Sequence, residues 1–430
     1  MKKHPIQPKP SSFSNADFHF DRRRFLQMLS GTALFSLLNP RALQAGEAED
    51  APGPNSQSEM FWVRDIPNQP FGNNNHHAGI DTLIGMLGAG GLKFYRSPNR
   101  SRVSGRWGLI AKHDVVLIKV NAQWKYRGCT NSDVIRGLIQ RILNHPDGFA
   151  GEVVIIENGQ GRGSLNCDTS ELYDNGAVRA NANDRSHSFV YLADTVFAGS
   201  PVSALLLDPF RQRFIDADDH WTDGYRKLRY VSYPCFTTPY GNRVELREGV
   251  WTGSDYRQNL KLINVPVLKH HAYEESGMTA SLKHVYGLLS MADGYSGFRH
   301  FSGLGRTCGK MFADVRAPAL NIIDAIWVSF ASQRGHPADT TRRMNQLLAG
   351  QDPVALDYWA AKYILHPIDG NNAHHPSSPA IAKWLDDAAT VINNKGGLYR
   401  PQQGIFVDRV TLDENHMQTH ADSPGAATPI

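Results

Sequence analysis

Two apolar, β-branched runs bracket a segment of helical period, and this pattern constrains the fold more than any other. DVVLIKVN (114–121) and GEVVIIENGQGRG (151–163) read as buried strands. Between them, Thr130 stands three positions before Asp133, a capping-box type of spacing that opens a helix. Ile135, Leu138, Ile139, Ile142 and Leu143 recur at helical spacing until His145-Pro146 stops the pattern. Strand, helix, strand at this spacing makes a βαβ unit, which implies parallel strands and a right-handed crossover. The expected fold class is α/β: a mainly parallel sheet built from βαβ units, helices on both faces, and a mixed inserted lobe or lid over 165–250.

Further elements follow the same logic. GIDTLIGMLG (79–88) and SPAIAKWLDDAATVI (378–392) read as amphipathic helices. SALLLD (203–208), LRYVSYP (228–234), LKLINVPVL (260–268) and ALNIIDAIWVSF (319–330) read as strands. LLAGQDPVALDYWAAKYIL (347–365) ends a strand and opens a helix, with Asp352 at the N-cap and Pro353 at the first helical position. The expected organisation is a signal at 1–45, a linker at 46–60, an α/β domain at 61–410 and a disordered tail at 411–430.

The first 45 residues read as an address. DRRRFLQ (21–27) precedes the short apolar run MLSGTALFSLL, and a small residue, Ala45, stands at the expected cut. The arginines before Phe25-Leu26 resemble a twin-arginine (Tat) export motif, so the Tat machinery is the expected partner of residues 1–45 and the expected location is periplasmic or extracytoplasmic. Residues 1–45 hold seven Lys/Arg and two Asp, a net of +5, against +4 for the whole chain. The remainder is therefore near −1 (4 minus 5), which removes the global electrostatic case for a nucleic-acid partner and leaves only local basic clusters. No other stretch is apolar enough to span a bilayer. Cys129, Cys167, Cys235 and Cys308 form no C-x-x-C pair, which disfavours a zinc ribbon or an iron–sulfur cluster and leaves two disulfides conceivable.

In open parallel sheets, ligands bind beyond the carboxyl ends of the strands. Those ends carry Lys119 and Asn121, then Glu157 with its loop glycines Gly159 and Gly161, a tight turn whose backbone N–H groups could approach an anion, then Lys269, His270 and His271, with Asp324 on the fourth run. Lys119 inside an apolar run calls for a partner or a ligand, and Glu157 is its natural ion partner. The stretch LKHHAYEESGMTASLKHVYG (268–287) invites both a metal and an anion reading. Adjacent His270 and His271 point to opposite faces of an extended chain, and His284 follows at no standard ligand spacing. His271 and His284 are therefore weak metal candidates. A helix start near Gly277–Ser281, with Thr279 as N-cap and Ser281 in the first turn, would offer N–H groups to an anion beside Lys269 and Lys283. His271 would titrate near neutral pH. Glu274 and Glu275 read as solvated loop charges, as do the pairs His76-His77 and His374-His375.

These segments together resemble the domain of unknown function 362 family. The resemblance rests on VLIKVN (116–121), VVIIENG (153–159), INVPVLKHHAYEESGMTASLKHVYGL (263–288), LNIIDAI (320–326) and LLAGQDPVALDYWAA (347–361). It marks Lys119, Asn121, Lys269, His271, Lys283, Gly287, Asp324 and Asp352. The chain departs from the family in having His284 where Asn is common and in lacking ferredoxin-like cysteine motifs. The expectation is an exported α/β protein that binds a small carboxylate or phosphate. Lys119, Lys269 and Lys283 would hold the anion, His271 would transfer a proton, and Glu157 or Asp324 would tune it. A metal- or redox-cofactor protein and a non-catalytic ligand-binding protein are the alternatives.

Overall fold

The β-branched runs form the centre of an eleven-stranded sheet. The computed structural model describes residues 58–72, 76–168, 178–272, 276–294, 297–395, 405–412 and 419–421. The export signal expected at 1–45 lies outside these residues, as do Glu274 and Glu275. The main-sheet strands are β1 (Ser58–Arg64), β2 (Val115–Lys119), β3 (Glu152–Glu157), β4 (Val202–Leu206), β5 (Leu260–Asn264), β6 (Val267–His270), β7 (Met278–Thr279), β8 (Leu320–Ser329), β9 (Thr341–Gly350), β10 (Ile405–Leu412) and β11 (Thr419–Ala421). Their order is β11-β10-β1-β9-β8-β5-β2-β3-β4, with β6 paired to both β8 and β7. The run from β8 through β5, β2 and β3 to β4 is parallel throughout. β9 pairs antiparallel with β1 and β8, so the sheet is mixed but mostly parallel.

Period-two alternation sends neighbouring residues to opposite faces, and each face has its own core. Val116, Ile118, Val153 and Ile155 pack with the helices α1 (Ala78–Ala89) and α2 (Ser132–Leu143). Val115, Leu117, Val154 and Ile156 share the other core with α5 (Pro353–Ala360) and α6 (Pro379–Asn393). Between these last two elements and β7 lie the shorter α3 (Ser281–His284) and α4 (Leu304–Lys310).

Local details differ from expectation for identifiable reasons. The cap of α2 is Asn131, whose side chain accepts from Asp133 N and Val134 N at 2.9 and 3.2 Å. Thr130 instead accepts from Asn121 N at 2.7 Å and donates to Val265 O at 2.8 Å, tying the end of β2 to the end of β5. The run 260–268 is two strands, because Pro266 has no N–H for the ladder. Within 228–234 a turn closes by Leu228 N donating to Val231 O at 2.8 Å, joining Gly224–Lys227 to Ser232–Thr237. In the 165–250 stretch, β4 is the sheet's edge strand, and residues 224–257 supply a five-stranded antiparallel sheet. Tyr225, Phe236 and Val244 of that second sheet lie in the core shared with α5 and α6. β1 begins inside the stretch expected to be linker, and β10 and β11 occupy part of the expected tail.

Candidate functional site: a lysine-lined cleft at the strand ends

The carboxyl ends of β2 and β3 place Lys119 beside Glu157, because Lys119 pairs with Ile156 in the parallel register. The Lys119 Nζ lies 3.0 Å from both carboxylate oxygens, 2.9 Å from Val120 O and 3.1 Å from His284 Nε2. An ammonium has three N–H donors, so all are engaged. Glu157 also accepts from Ala122 N at 3.1 Å and Asn158 N at 2.7 Å. Burial pulls the Lys119 ammonium down and pushes the Glu157 carboxyl up, and the charge of each opposes the shift of the other. The pair excludes side chains above it: a Cβ on Gly287 would sit 2.8 Å from Glu157 Oε1 and 2.9 Å from Lys119 Nζ. Lys119 was expected to hold an anion directly; its complete set of internal partners makes it a positioning residue at the cleft floor instead.

A hydrogen-bond chain fixes the protonation of His284. Asn264 Nδ2 donates to Ser281 O and to Asn321 Oδ1, both at 2.9 Å, leaving Asn264 Oδ1 as an acceptor. His284 Nδ1 lies 2.6 Å from that oxygen and therefore carries the proton. Nε2 is left with its lone pair facing the Lys119 ammonium. Burial first, then the Lys119 charge, holds the imidazole well below its ordinary range, so it is neutral. Both nitrogens of His284 are thus engaged, with an ammonium adjacent.

Strands β6 and β7 form the next wall. Lys269 and Thr279 are register partners, and both line the cleft with His271. His270, on the opposite face, meets His374 Nε2 at 2.9 Å. Lys269 is 3 % exposed and donates to Gly128 O at 2.6 Å. Burial lowers its ammonium to about 7, against upward pulls from Cys129 and Glu157. His271 is held well below its ordinary value by burial, then by the charges of Lys283 and Lys269. It is thus a neutral imidazole at pH 7, beside a Lys269 ammonium that burial brings near neutrality. Lys283 reaches the cleft from α3, its Nζ 3.3 Å from His300 Nε2.

The two backbone anion sites expected from the sequence are filled by the protein's own carboxylates. Gly159 N and Gly161 N donate to Asp208 at 2.6 and 2.5 Å. Ser281 N and Leu282 N donate to Asp357 at 2.7 and 2.9 Å. Thr279 is consequently a strand residue and not a cap, and Gly159, Gly161 and Ser281 do not line the cleft. Asp324 is also absent from the lining; its carboxylate accepts from Asn131 N and Ile326 N at 2.7 and 3.0 Å, and burial raises it to about 7. It ties α2 to β8 and is not placed to tune His271. Asp352 caps α5 through Val354 N and Ala355 N at 2.9 and 3.0 Å and also accepts from Ser58. Asn121 does line the cleft, with Oδ1 accepting from Val267 N at 3.0 Å.

The other histidine pairs lie away from the cleft. His77 is buried as the N-cap of α1, and His76 pairs with Asp81 at 3.1 Å. His374 joins His270 to Asp369, with Nδ1 3.4 Å from the carboxylate. Among the described residues no group of three or more His, Cys, Asp or Glu side chains is placed to hold a metal ion. The four cysteines are buried free thiols. No helix among the described residues is long and apolar enough to cross a membrane.

The cleft has a volume of about 320 Å³. Among the described residues its charged lining comprises Lys119, Lys269, Lys283 and Arg162 against one carboxylate, Glu157. Arg162 and Trp124 are functional candidates that sequence reasoning passed over. The glycine loop held the signal: Gly161, at φ +73°, lets the chain turn tightly and project Arg162 toward the Trp124 ring.

Residues 229–362 match the family model Domain of unknown function (DUF362). The matched segment contains Lys269, His271, Lys283, Gly287, Asp324 and Asp352, while Lys119, Asn121 and Glu157 precede it. No curated protein and no solved structure matches the chain.

Proposed function

We propose that the protein is an enzyme that binds a small anionic substrate in the lysine-lined cleft and acts on it by proton transfer. The carrying observation is the charge imbalance of the lining among the described residues, four cationic side chains to one carboxylate, with that carboxylate already paired to Lys119. Lys283 holds a carboxylate or phosphate. Lys269, whose ammonium is brought to about 7, takes or returns a proton. Neutral His271 offers a hydrogen bond beside it. Isomerisation, epimerisation and hydrolysis by a base-activated water all use this equipment. The twin-arginine resemblance of residues 21–27 adds an extracytoplasmic site of action to the proposal.

Calorimetric titration with inorganic phosphate, acetate and citrate tests the binding step. At least one anion is expected to bind wild type with micromolar to millimolar Kd, and Lys283→Ala to weaken it tenfold or more. No heat with any anion, or equal affinity in the variant, would defeat the proposal. Incubating a bound carboxylic acid in heavy water then reads turnover, as deuterium gained at carbon that is lost with Lys269→Met.

A further inference from the structure

The outer wall of the cleft carries a second cationic station. The Arg162 guanidinium lies 5.3 Å from the Trp124 ring centroid, and that of Arg334 lies 5.0 Å from the same ring. Arg162, Trp124 and Gln333 line the cleft, and Gln333 immediately precedes Arg334. Neither guanidinium has a carboxylate partner among the described residues. Both guanidinium groups stand within cation–π distance of the same ring, and a guanidinium can make a two-pronged contact with an oxyanion.

This station lies close to the Lys269 end. Gly128 connects them: its carbonyl accepts from Lys269 Nζ at 2.6 Å, while a Cβ built on the same residue would sit 2.9 Å from Trp124 Cβ and 2.4 Å from Arg334 O. One residue therefore separates the ammonium of the inner station from the backbone that presents the outer one. The Lys119–Glu157 pair also lines the cleft and is internally neutral, so it draws no third anionic group.

We infer that the natural ligand is a small bis-anion, with one carboxylate or phosphate at Lys269 and Lys283 and a second at the Arg162–Arg334 station over Trp124. This rests on the proposed function and narrows its substrate class. Arg162 and Arg334 determine specificity for the second group, and proton transfer takes place at the Lys269 end.

The test compares anions bearing one and two charged groups. Acetate and inorganic phosphate are titrated beside succinate, citrate, pyrophosphate and 3-phosphoglycerate at matched ionic strength, into wild type, Arg162→Gln, Arg334→Gln and Lys283→Ala. At least one two-group probe is expected to bind tenfold or more tighter than either one-group probe. Arg162→Gln and Arg334→Gln should each reduce that preference at least threefold while holding phosphate affinity within twofold; Lys283→Ala should weaken both classes. Circular dichroism and melting confirm that each variant is folded, and either arginine variant alone suffices for the comparison. Equal affinity for the two classes, or a preference untouched in both arginine variants, overturns the bis-anion inference and leaves the proposed function standing. Absence of binding by every probe overturns both.

Discussion

Replacing Lys119 by methionine keeps the length of the side chain and removes the ammonium from beneath the cleft. Glu157 would retain its bonds from Ala122 N and Asn158 N but lose its counter-charge at 2 % exposure. His284 would lose the donor that faces Nε2. Removing one partner of a buried ion pair costs about 3–5 kcal/mol, because the surviving charge is left uncompensated. For a domain of this size a kilocalorie moves the melting temperature by roughly 1.4 °C, so Lys119→Met should melt roughly 4–7 °C lower. The double variant Lys119→Met/Glu157→Leu should recover at least about half of that loss, because a buried pair exchanged for apolar groups is often near neutral. The deficit also has a sign with pH. Without the ammonium, the Glu157 carboxyl in the folded protein lies further above its unfolded value. The folded state then binds the proton more tightly than the unfolded state, so stability falls as pH rises from the unfolded value through the folded one. Urea unfolding of wild type, both single variants and the double variant at pH 5 and pH 8 reads all of this. The deficit of Lys119→Met should be larger at pH 8. A double variant as unstable as the sum of the singles, or a deficit identical at both pH values, would refute the picture of a mutually compensating pair.

Two further outcomes follow from the same geometry. Gly287→Ala places a methyl within 2.9 Å of both ionic groups and should cost about 1–3 kcal/mol by overpacking, read as a lower urea midpoint with an unchanged slope. Acetylation of Lys269 by dilute acetic anhydride, followed residue by residue in mass spectra, should rise with a midpoint near pH 7. Exposed lysines react with a midpoint near the ordinary value of about 10.4. A Lys269 midpoint near 10 would remove it as the proton-exchanging group.

The sequence makes the sheet legible because β-branched runs and a helical period are local signals. The same holds for Asp352, whose capping role is set by its immediate followers Val354 and Ala355. The gathering of Lys119, Glu157, Lys269, His271 and Lys283 at one cleft follows from strand-end logic, since parallel strands expose their carboxyl ends on one edge. The occupants of the backbone anion sites were not legible. Asp208 lies 49 positions from Gly159, and Asp357 lies 76 from Ser281, so no window of sequence contains both members of either pair. Arg162 sits among glycines, a pattern that points to backbone contacts and not to a side chain. Trp124 stood in a loop with no periodicity to mark it. Asp324 misled for the opposite reason: a carboxylate within a buried strand suggests chemistry, whereas two backbone N–H groups account for it.

Asn264 and Asn321 face each other as partners in the parallel pairing of β5 and β8. Their side-chain bond stops the Asn264 amide from turning over, and the amide in turn dictates which nitrogen of His284 bears hydrogen. The location of one proton at the cleft floor is thus encoded in strand alignment. Exchange Asn321 for a residue that cannot accept, and the Asn264 amide is held by Ser281 O alone. The imidazole proton then rests on one constraint fewer. A substitution with no contact to any ligand would loosen the polarity of the cleft floor.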